Sequence, residues 1–356
     1  MNERPVILGY GLTGKSFEKF LIKKKLEYFL YDDKYPHSSK FLGVKNKFIS
    51  KSELAKFDTF YVSPGFNKKK LNELGVLDKH LLTDLDIFFR FNESFKIGIT
   101  GTNGKSSLTH YLTQILNCRS TAISLGNIGN PLLENLDHKN KYSVIELSSF
   151  QLEKMKENEL NLSVITNISQ DHIDYHGNFE SYRSCKFKIM KTKTFFYNDE
   201  CQLQDFAFLI AKSLEPDTNK KLKLEELPFR LQPISKNIIN DSKSTNSSSL
   251  YYAIKKLNFA GILIMCGNPN KEDYQNLIID GPAKILIFGK HREEIKKRII
   301  HNNIELYSSL ESLISSLDVS DQILFSPGNP SGDDFSNFME RGEYFSKIIE
   351  VHFDSK

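Results

Sequence analysis

Twice in 356 residues an apolar run ends in a glycine loop and passes straight into a helical stretch: VILGYGLTGKS at 6–16 and KIGITGTNGKSS at 96–107. A strand–glycine loop–helix unit turns backbone N–H groups and a helix N-terminus toward one point, which suits a phosphate. It also commits the chain to parallel α/β architecture, because strands joined through helices are buried on both faces. Two such loops cannot hold the same phosphates. Either there are two ligands, or one loop is a bare turn.

The first loop, Gly9-Tyr10-Gly11-Leu12-Thr13-Gly14, satisfies G-x-G-x-x-G, and Asp32 and Asp33 close the next apolar run. That context predicts a Rossmann-like unit with a nucleotide ligand whose ribose hydroxyls meet the acid. A tight strand-to-helix turn without ligand is the bland alternative. In the second loop, Gly101-Thr102-Asn103-Gly104-Lys105-Ser106, the backbone would cradle phosphates, Lys105 would reach the β/γ oxygens and Ser106 would ligate Mg²⁺. The strict pattern G-x-x-x-x-G-K-[ST] needs glycine at 99, where the chain has Ile99. Glu146 lies inside the apolar run YSVIELSS. A carboxylate there either faces a cation or sits at an exposed strand end. ATP with Mg²⁺ is the expectation.

Alternating apolar runs divide the chain into three α/β domains: 1–92, 93–227 and 228–356. Residues 214–228 are charged and bracketed by Pro216 and Pro228, as in a linker. GILIMCGN, AKILIFGK and SDQILFSPGN are the strands of the last domain. Mean hydropathy is −0.39, and no apolar run approaches the roughly 20 residues that cross a bilayer. A strand begins at RPVILGYG, leaving no room for a signal peptide. The four cysteines form no C-x-x-C pair, which argues for reduced thiols and a cytoplasmic protein. Net charge is +4, but Lys23–Lys25 and Lys68–Lys70 are separate clusters. Solvated faces account for them, so nucleic-acid binding and membrane insertion are not expected.

GITGTNGKSS, IELSSFQLE and TNISQDHIDYHG, in that order, resemble the Mur ligases of bacterial peptidoglycan synthesis. LPFRLQ, INDSKSTN and SPGNPSGDDFSNFMERGEYF are similar to the D-glutamate-adding branch of that family. The resemblance implies a Rossmann-like first domain for the UDP end of UDP-N-acetylmuramoyl-L-alanine, a P-loop domain for ATP, and a C-terminal Rossmann-like domain for D-glutamate. It implies an ATP-dependent ligase acting through an acyl phosphate, and a monomer.

By the same resemblance, Lys105, Glu146, His172 and Lys186 are catalytic, and Ser106, Glu146, His172 and a carbamylated Lys186 serve two Mg²⁺ sites. ATP would meet Gly101, Thr102, Asn103, Gly104, Lys105, Ser106, Ser107, Arg230 and Asp241. Leu12, Thr13, Asp32, Ser63, Gly65, Asn127 and Gln151 map onto the UDP-substrate site. Lys243, Thr245, Lys271, Ser331 and Phe338 map onto the D-glutamate site.

The chain departs from the pattern in places. Ser107 replaces the usual threonine, and Gly332 stands where leucine is common. CGNPNKEDY is a loose version of the family's glycine-rich stretch. Residues 198–227 are short and lack the H-N-x-x-N segment that supports adenine; CQLQDFAFLIAKSL reads as its trimmed helix. Alternatives are a Mur-type ligase with another acceptor, a P-loop switch protein, and an NAD-dependent oxidoreductase built on Gly9–Gly14.

Overall fold

A computed structural model describes residues 4–34, 47–198, 201–218, 222–271, 274–318 and 320–353. The chain forms two compact units. Met1–Ile168 with Arg183–Leu224 make the first, and Ser169–Tyr182 with Glu225–Lys356 make the second.

The first unit opens with β1 (Val6–Leu8), α1 (Leu12–Lys23), β2 (Phe29–Tyr31), β3 (Thr59–Val62), α2 (Lys68–Glu73), β4 (His80–Leu82) and α3 (Asp84–Phe91). Its four strands form one parallel sheet in the order β2-β1-β3-β4. Val6, Ile7 and Leu8 are all fully buried, which is why β1 reads as an unbroken apolar run rather than an alternation. The helical stretch after the first glycine loop is α1, which begins directly after Gly11 and is capped by the Gly11 backbone. Gly14 permits that start: a Cβ there would stand 1.9 Å from the Gly9 carbonyl oxygen. No other residue lets α1 approach β1 so closely.

Next in the chain come β5 (Phe95–Thr100), α4 (Lys105–Leu116), β6 (Ala122–Gly126), β7 (Tyr142–Glu146), α5 (Ser149–Lys154), β8 (Leu162–Ile165), α6 (Ile173–His176), α7 (Phe179–Phe187), β9 (Thr194–Phe196) and α8 (Leu203–Lys212), of which α6 and the first turn of α7 belong to the second unit. Their sheet is also parallel throughout, ordered β6-β7-β5-β8-β9. Leu108, Leu112 and Ile115 of α4 join Ile97, Ile99, Val144 and Val164 from the strands and Phe206 and Ile210 from α8 in one core. Each such side chain contributes about 1.5–3 kcal/mol when fully buried. The run CQLQDFAFLIAKSL forms α8, whose apolar face covers α4, the helix that follows the second glycine loop.

In the second unit, β10 (Gln232–Pro233), β11 (Ile238–Asn240), α9 (Ser247–Leu257), β12 (Ile262–Met265), β13 (Leu277–Ile278), β14 (Lys284–Phe288), α10 (Arg292–Arg298), β15 (Ile299–Ile300), β16 (Ile304–Tyr307), α11 (Leu310–Ile314), β17 (Ile323–Phe325) and α12 (Phe338–Phe353) follow in order. The main sheet runs β10-β11-β17-β12-β14-β16, parallel except for β10 against β11, and β13 pairs with β15 apart from it. Phe325 stacks on Phe345 of α12 with centroids 4.2 Å apart, tying the last helix to the sheet centre.

Strand order places the loops. Ligands in open parallel sheets bind beyond the carboxyl ends of the strands, where the order reverses. In the first sheet that point lies between β1 and β3, and in the second around β5. Both glycine loops stand there. In the third sheet the loops after β11, β12 and β17, which are neighbours, carry five of the residues expected to bind the amino acid or nucleotide: Asp241, Lys243, Thr245, Lys271 and Ser331.

Candidate functional site

The phosphate loop begins where β5 ends. Gly101 has φ +148°, and a Cβ on it would meet Thr166 Oγ1 at 1.8 Å. Gly104 has φ +82° and caps α4 without any side-chain hydrogen bond. Both conformations favour glycine, and a helix N-terminus lacking a side-chain cap offers its donors to an anion. Braces come from the end of β8. Thr166 Oγ1 donates to the Asn103 carbonyl at 2.6 Å, Thr102 N–H donates to the Asn167 carbonyl at 2.7 Å, and Asn103 N–H donates to Asn167 Oδ1 at 2.9 Å. Lys105 Nζ donates to the Thr102 carbonyl at 2.8 Å, and Ser106 is buried. Ser107, one residue on, is half-buried.

Glu146 is not at an exposed strand end: it is 1% exposed. Its Oε1 accepts Asn127 Nδ2 at 2.8 Å, while Oε2 is buried without a hydrogen-bond partner. An orphaned buried carboxylate oxygen is costly, and a cation is the ligand that removes the cost. The residues present therefore fit Mg²⁺, an ion usually held by one or two carboxylates plus substrate phosphate. Asn127 acts as a support for Glu146 here.

Lys186 of α7 is 2% exposed, and its Nζ donates to the Gly101 carbonyl at 2.7 Å. So Lys105, Ser106, Glu146 and Lys186 are gathered in one unit around one loop. His172 belongs to the other unit. It takes a left-handed backbone (φ +54°), with Nε2 3.7 Å from Asp171 Oδ2.

At the first glycine loop, Ser63 Oγ donates to the Gly9 carbonyl at 2.9 Å and Tyr10 N–H donates to Asp32 Oδ2 at 2.7 Å. Leu12 is 59% exposed, Thr13 half-buried, and Gly65 open to solvent. Gln151 is 6% exposed; its Oε1 accepts from Ser148 N and Oγ, and its Nε2 donates to Asp84 Oδ2 at 3.4 Å. Burial pushes the Asp84 carboxyl up to about 6. Gln151 thus caps α5 and partners Asp84.

In the second unit, the Lys243 ammonium lies 3.9 Å above the Phe338 ring, a cation–π contact that joins two of the residues expected at the acceptor site. Ser331 is buried, Thr245 is half-buried, and Lys271 ends a one-turn helix at 269–271. Arg341 went unmarked in the sequence, although it sits inside FMERGEYF. It is fully buried, donating Nε to Ser242 Oγ (3.1 Å), Nη2 to the Ser242 carbonyl (2.7 Å) and Nη1 to the Asn329 carbonyl (3.0 Å). Those bonds pin the loops after β11 and β17 together. Thr166 and Asn167 were missed likewise, though they open TNISQDHIDYHG.

Asp241 is 7% exposed, with Oδ2 accepting Ser326 Oγ at 2.9 Å and Oδ1 accepting Leu231 N–H at 3.1 Å. Burial pushes its carboxyl up to about 7 from the usual 3.8, against the pull of those bonds and of Arg230. A folded-state value above the unfolded one means that the folded chain holds the proton longer. Stability is then fullest below pH 4 and falls as pH rises toward 7. Asn fits the same place, accepting from Leu231 and donating to Ser326. Asp241→Asn is expected to be more stable than wild type at pH 8 by roughly 1–4 kcal/mol, with the gain vanishing near pH 4. Thermal melts across that range check it; a variant no more stable than wild type at pH 8 contradicts it.

The family described as Mur ligase middle domain matches residues 99–226. UDP-N-acetylmuramoylalanine–D-glutamate ligase of Thermosipho melanesiensis is 31% identical over 96% of each chain. Its counterpart in Buchnera aphidicola of Schizaphis graminum is 30% identical over 96% of this chain and 97% of its own. The first alignment runs to 415 residues against 356 here, so that relative carries segments this chain lacks. Among solved structures, MurF ligase of Thermotoga maritima in complex with ADP matches all of this chain and 96% of its own (TM-score 0.58, 15% identity). A pseudomurein peptide ligase type C from Methanothermus fervidus matches 98% of this chain and 100% of its own (TM-score 0.55, 15% identity). At those identities the likeness is one of fold.

Proposed function

The chain belongs to the Mur ligase family of ATP-dependent, amide-bond-forming enzymes, and from that membership we propose that it joins D-glutamate to UDP-N-acetylmuramoyl-L-alanine. The names of the two relatives support the substrates. The observation that supports phosphoryl transfer is Glu146, a buried carboxylate with one unpartnered oxygen in the same unit as a glycine loop and Lys105.

ATP would lie on Gly101–Ser107, with Arg230 and Asp241 serving the nucleotide. Ser106 and Glu146 would hold one Mg²⁺, and His172 with a carbamate on Lys186 a second. When bound, these ions neutralise phosphate charge. Lys105 adds a fixed ammonium for the β/γ oxygens. An oxygen of the L-alanyl carboxylate attacks the γ-phosphorus, the bond to the β–γ bridging oxygen breaks, and ADP leaves. The free amine of D-glutamate then attacks the acyl carbon. Phosphate departs as the tetrahedral adduct collapses, and the nitrogen loses its proton. Positioning and charge neutralisation carry the rate. Lys243, Thr245, Lys271, Ser331 and Phe338 would seat the two carboxylates of D-glutamate. Leu12, Thr13, Asp32, Ser63, Gly65, Asn127 and Gln151 would hold the UDP-sugar and its L-alanyl arm.

Phosphate release from ATP is expected only when UDP-N-acetylmuramoyl-L-alanine and D-glutamate are both present. The assay runs D-Glu, L-Glu, L-Ala and L-Lys in parallel. Equal rates with L-Glu, or release without the UDP-sugar, sinks the assignment.

A further inference from the structure

Helix α10 and the histidine before it hold none of the residues assigned above, yet they reach both loops of the acceptor region. One oxygen, Asp333 Oδ2, is the meeting point. It lies 2.7 Å from His291 Nε2 and accepts Asn268 Nδ2 at 2.9 Å. A single carboxylate thus ties the loop after β12, the loop after β17 and the start of α10 together.

The far end of α10 holds the first of those loops a second time. Arg298 donates Nη1 to the Pro269 carbonyl at 3.0 Å and Nη2 to Asn270 Oδ1 at 2.8 Å, directly before Lys271. Glu294 braces both grips, Oε1 accepting Arg298 at 2.6 Å and Oε2 lying 3.1 Å from His291 Nδ1. The cationic partners are the more buried half of each pair: the His291 and Arg298 side chains are 17% and 15% exposed, against 40% for Asp333 and 35% for Glu294. The Asp333 bond, outweighing burial, holds the His291 imidazole above its usual pKa, and His291 in turn holds Asp333 below its own. The bond is therefore charge-assisted, a class roughly twice as strong as neutral pairs.

The backbone adds an independent sign. Asp333 has φ +76°, a left-handed conformation that non-glycine residues rarely take and that is strained for them. Gly332 beside it has open space and takes no such conformation. The strain is carried by the residue whose carboxylate makes the junction.

We propose that Asp333, His291 and Arg298 are positioning residues for the amino-acid acceptor, clamping the loops that carry Lys271 and Ser331 through α10. The proposal rests on the acceptor reading given above. None of the three touches a reacting atom. Their effect falls on the binding of the incoming amine, because displacing a seat by about 1 Å costs up to 100-fold.

The test uses full-length Arg298→Ala, Arg298→Lys and Asp333→Gly, with KM measured for all three substrates, melting temperature, and hydrogen exchange of the 266–271 and 326–334 backbones. Arg298→Ala is expected to raise KM for the amino acid about tenfold and leave those for ATP and the UDP-sugar within about twofold. Arg298→Lys recovers part of the loss, since one donor survives. Asp333→Gly is the decisive variant. It relieves the left-handed strain while losing the bonds to His291 and Asn268, so its melting temperature stays near that of wild type, while acceptor KM climbs and both loops exchange faster. Unchanged exchange in both loops, or three KM values rising together with a fallen melting temperature, overturns the clamp. If wild type uses no amino acid tested, the functional reading fails, and exchange alone still decides whether the clamp exists.

Discussion

Lys105→Ala is expected to abolish turnover in a protein that remains folded. An ammonium aimed at a transferring phosphoryl group supplies charge where charge develops, and groups of that kind are worth about 3–4 kcal/mol, or 10²–10³ in kcat. The structural cost of removing it is small by comparison. Lys105 is half-buried, and its Nζ donates to the Thr102 carbonyl of its own loop, a neutral acceptor whose loss costs about 1–2 kcal/mol. The loop keeps its other braces from Thr166 and Asn167. Phosphate release and a thermal melt, measured together, check the claim. A kcat within tenfold of wild type in a folded variant removes this loop as the ATP site.

That loop was legible because its chemistry is written in backbone demands. Gly101 and Gly104 hold conformations that favour glycine, and Gly14 permits an approach no Cβ allows, so the spacing of glycines reports geometry directly. Buried parallel strands were legible for a related reason: β1 is an unbroken apolar run, and β5, β7 and β8 are mostly apolar runs interrupted by single polar residues such as Lys96, Ser143 and Ser163. Edge strands β6 and β9 have weaker patterns and were not anticipated. Nor was the partition that sets 169–182, with His172, in the second unit while Lys186 stays in the first. Contacts between distant segments leave no local trace. Arg341 looked like one charged residue in a charged helix, and only the fold reveals that it is fully buried between two loops. His291 and Arg298 are the same case: single-sequence reading sees a basic stretch, KHREEIKKR, that resembles any solvated helix.

Lys186 is expected to act as a carbamate, and Lys186→Ala to lose at least about 100-fold in kcat. The side chain is 2% exposed and ends at the Gly101 carbonyl, 2.7 Å away. Taking an ammonium out of water is costly, and a second cation nearby would raise that cost further. CO₂ adds only to the neutral amine: nitrogen bonds to carbon, one N–H proton departs, and the single negative charge formed is shared by two oxygens. These are the hard ligands Mg²⁺ prefers. One N–H survives on the carbamate, so the bond to Gly101 does not have to be given up. The competing account makes Lys186 a cationic brace for the phosphate loop, and the two differ in what restores activity. A brace would be rescued by Lys186→Arg and ignore CO₂. A carbamate would not be rescued by arginine, would weaken in CO₂-free buffer, and would respond to added formate or acetate in Lys186→Ala. Equilibration with ¹³C-bicarbonate should also label one site in wild type that is missing from the alanine variant. Full activity in a folded Lys186→Ala protein, or in Lys186→Arg without CO₂, ends the carbamate.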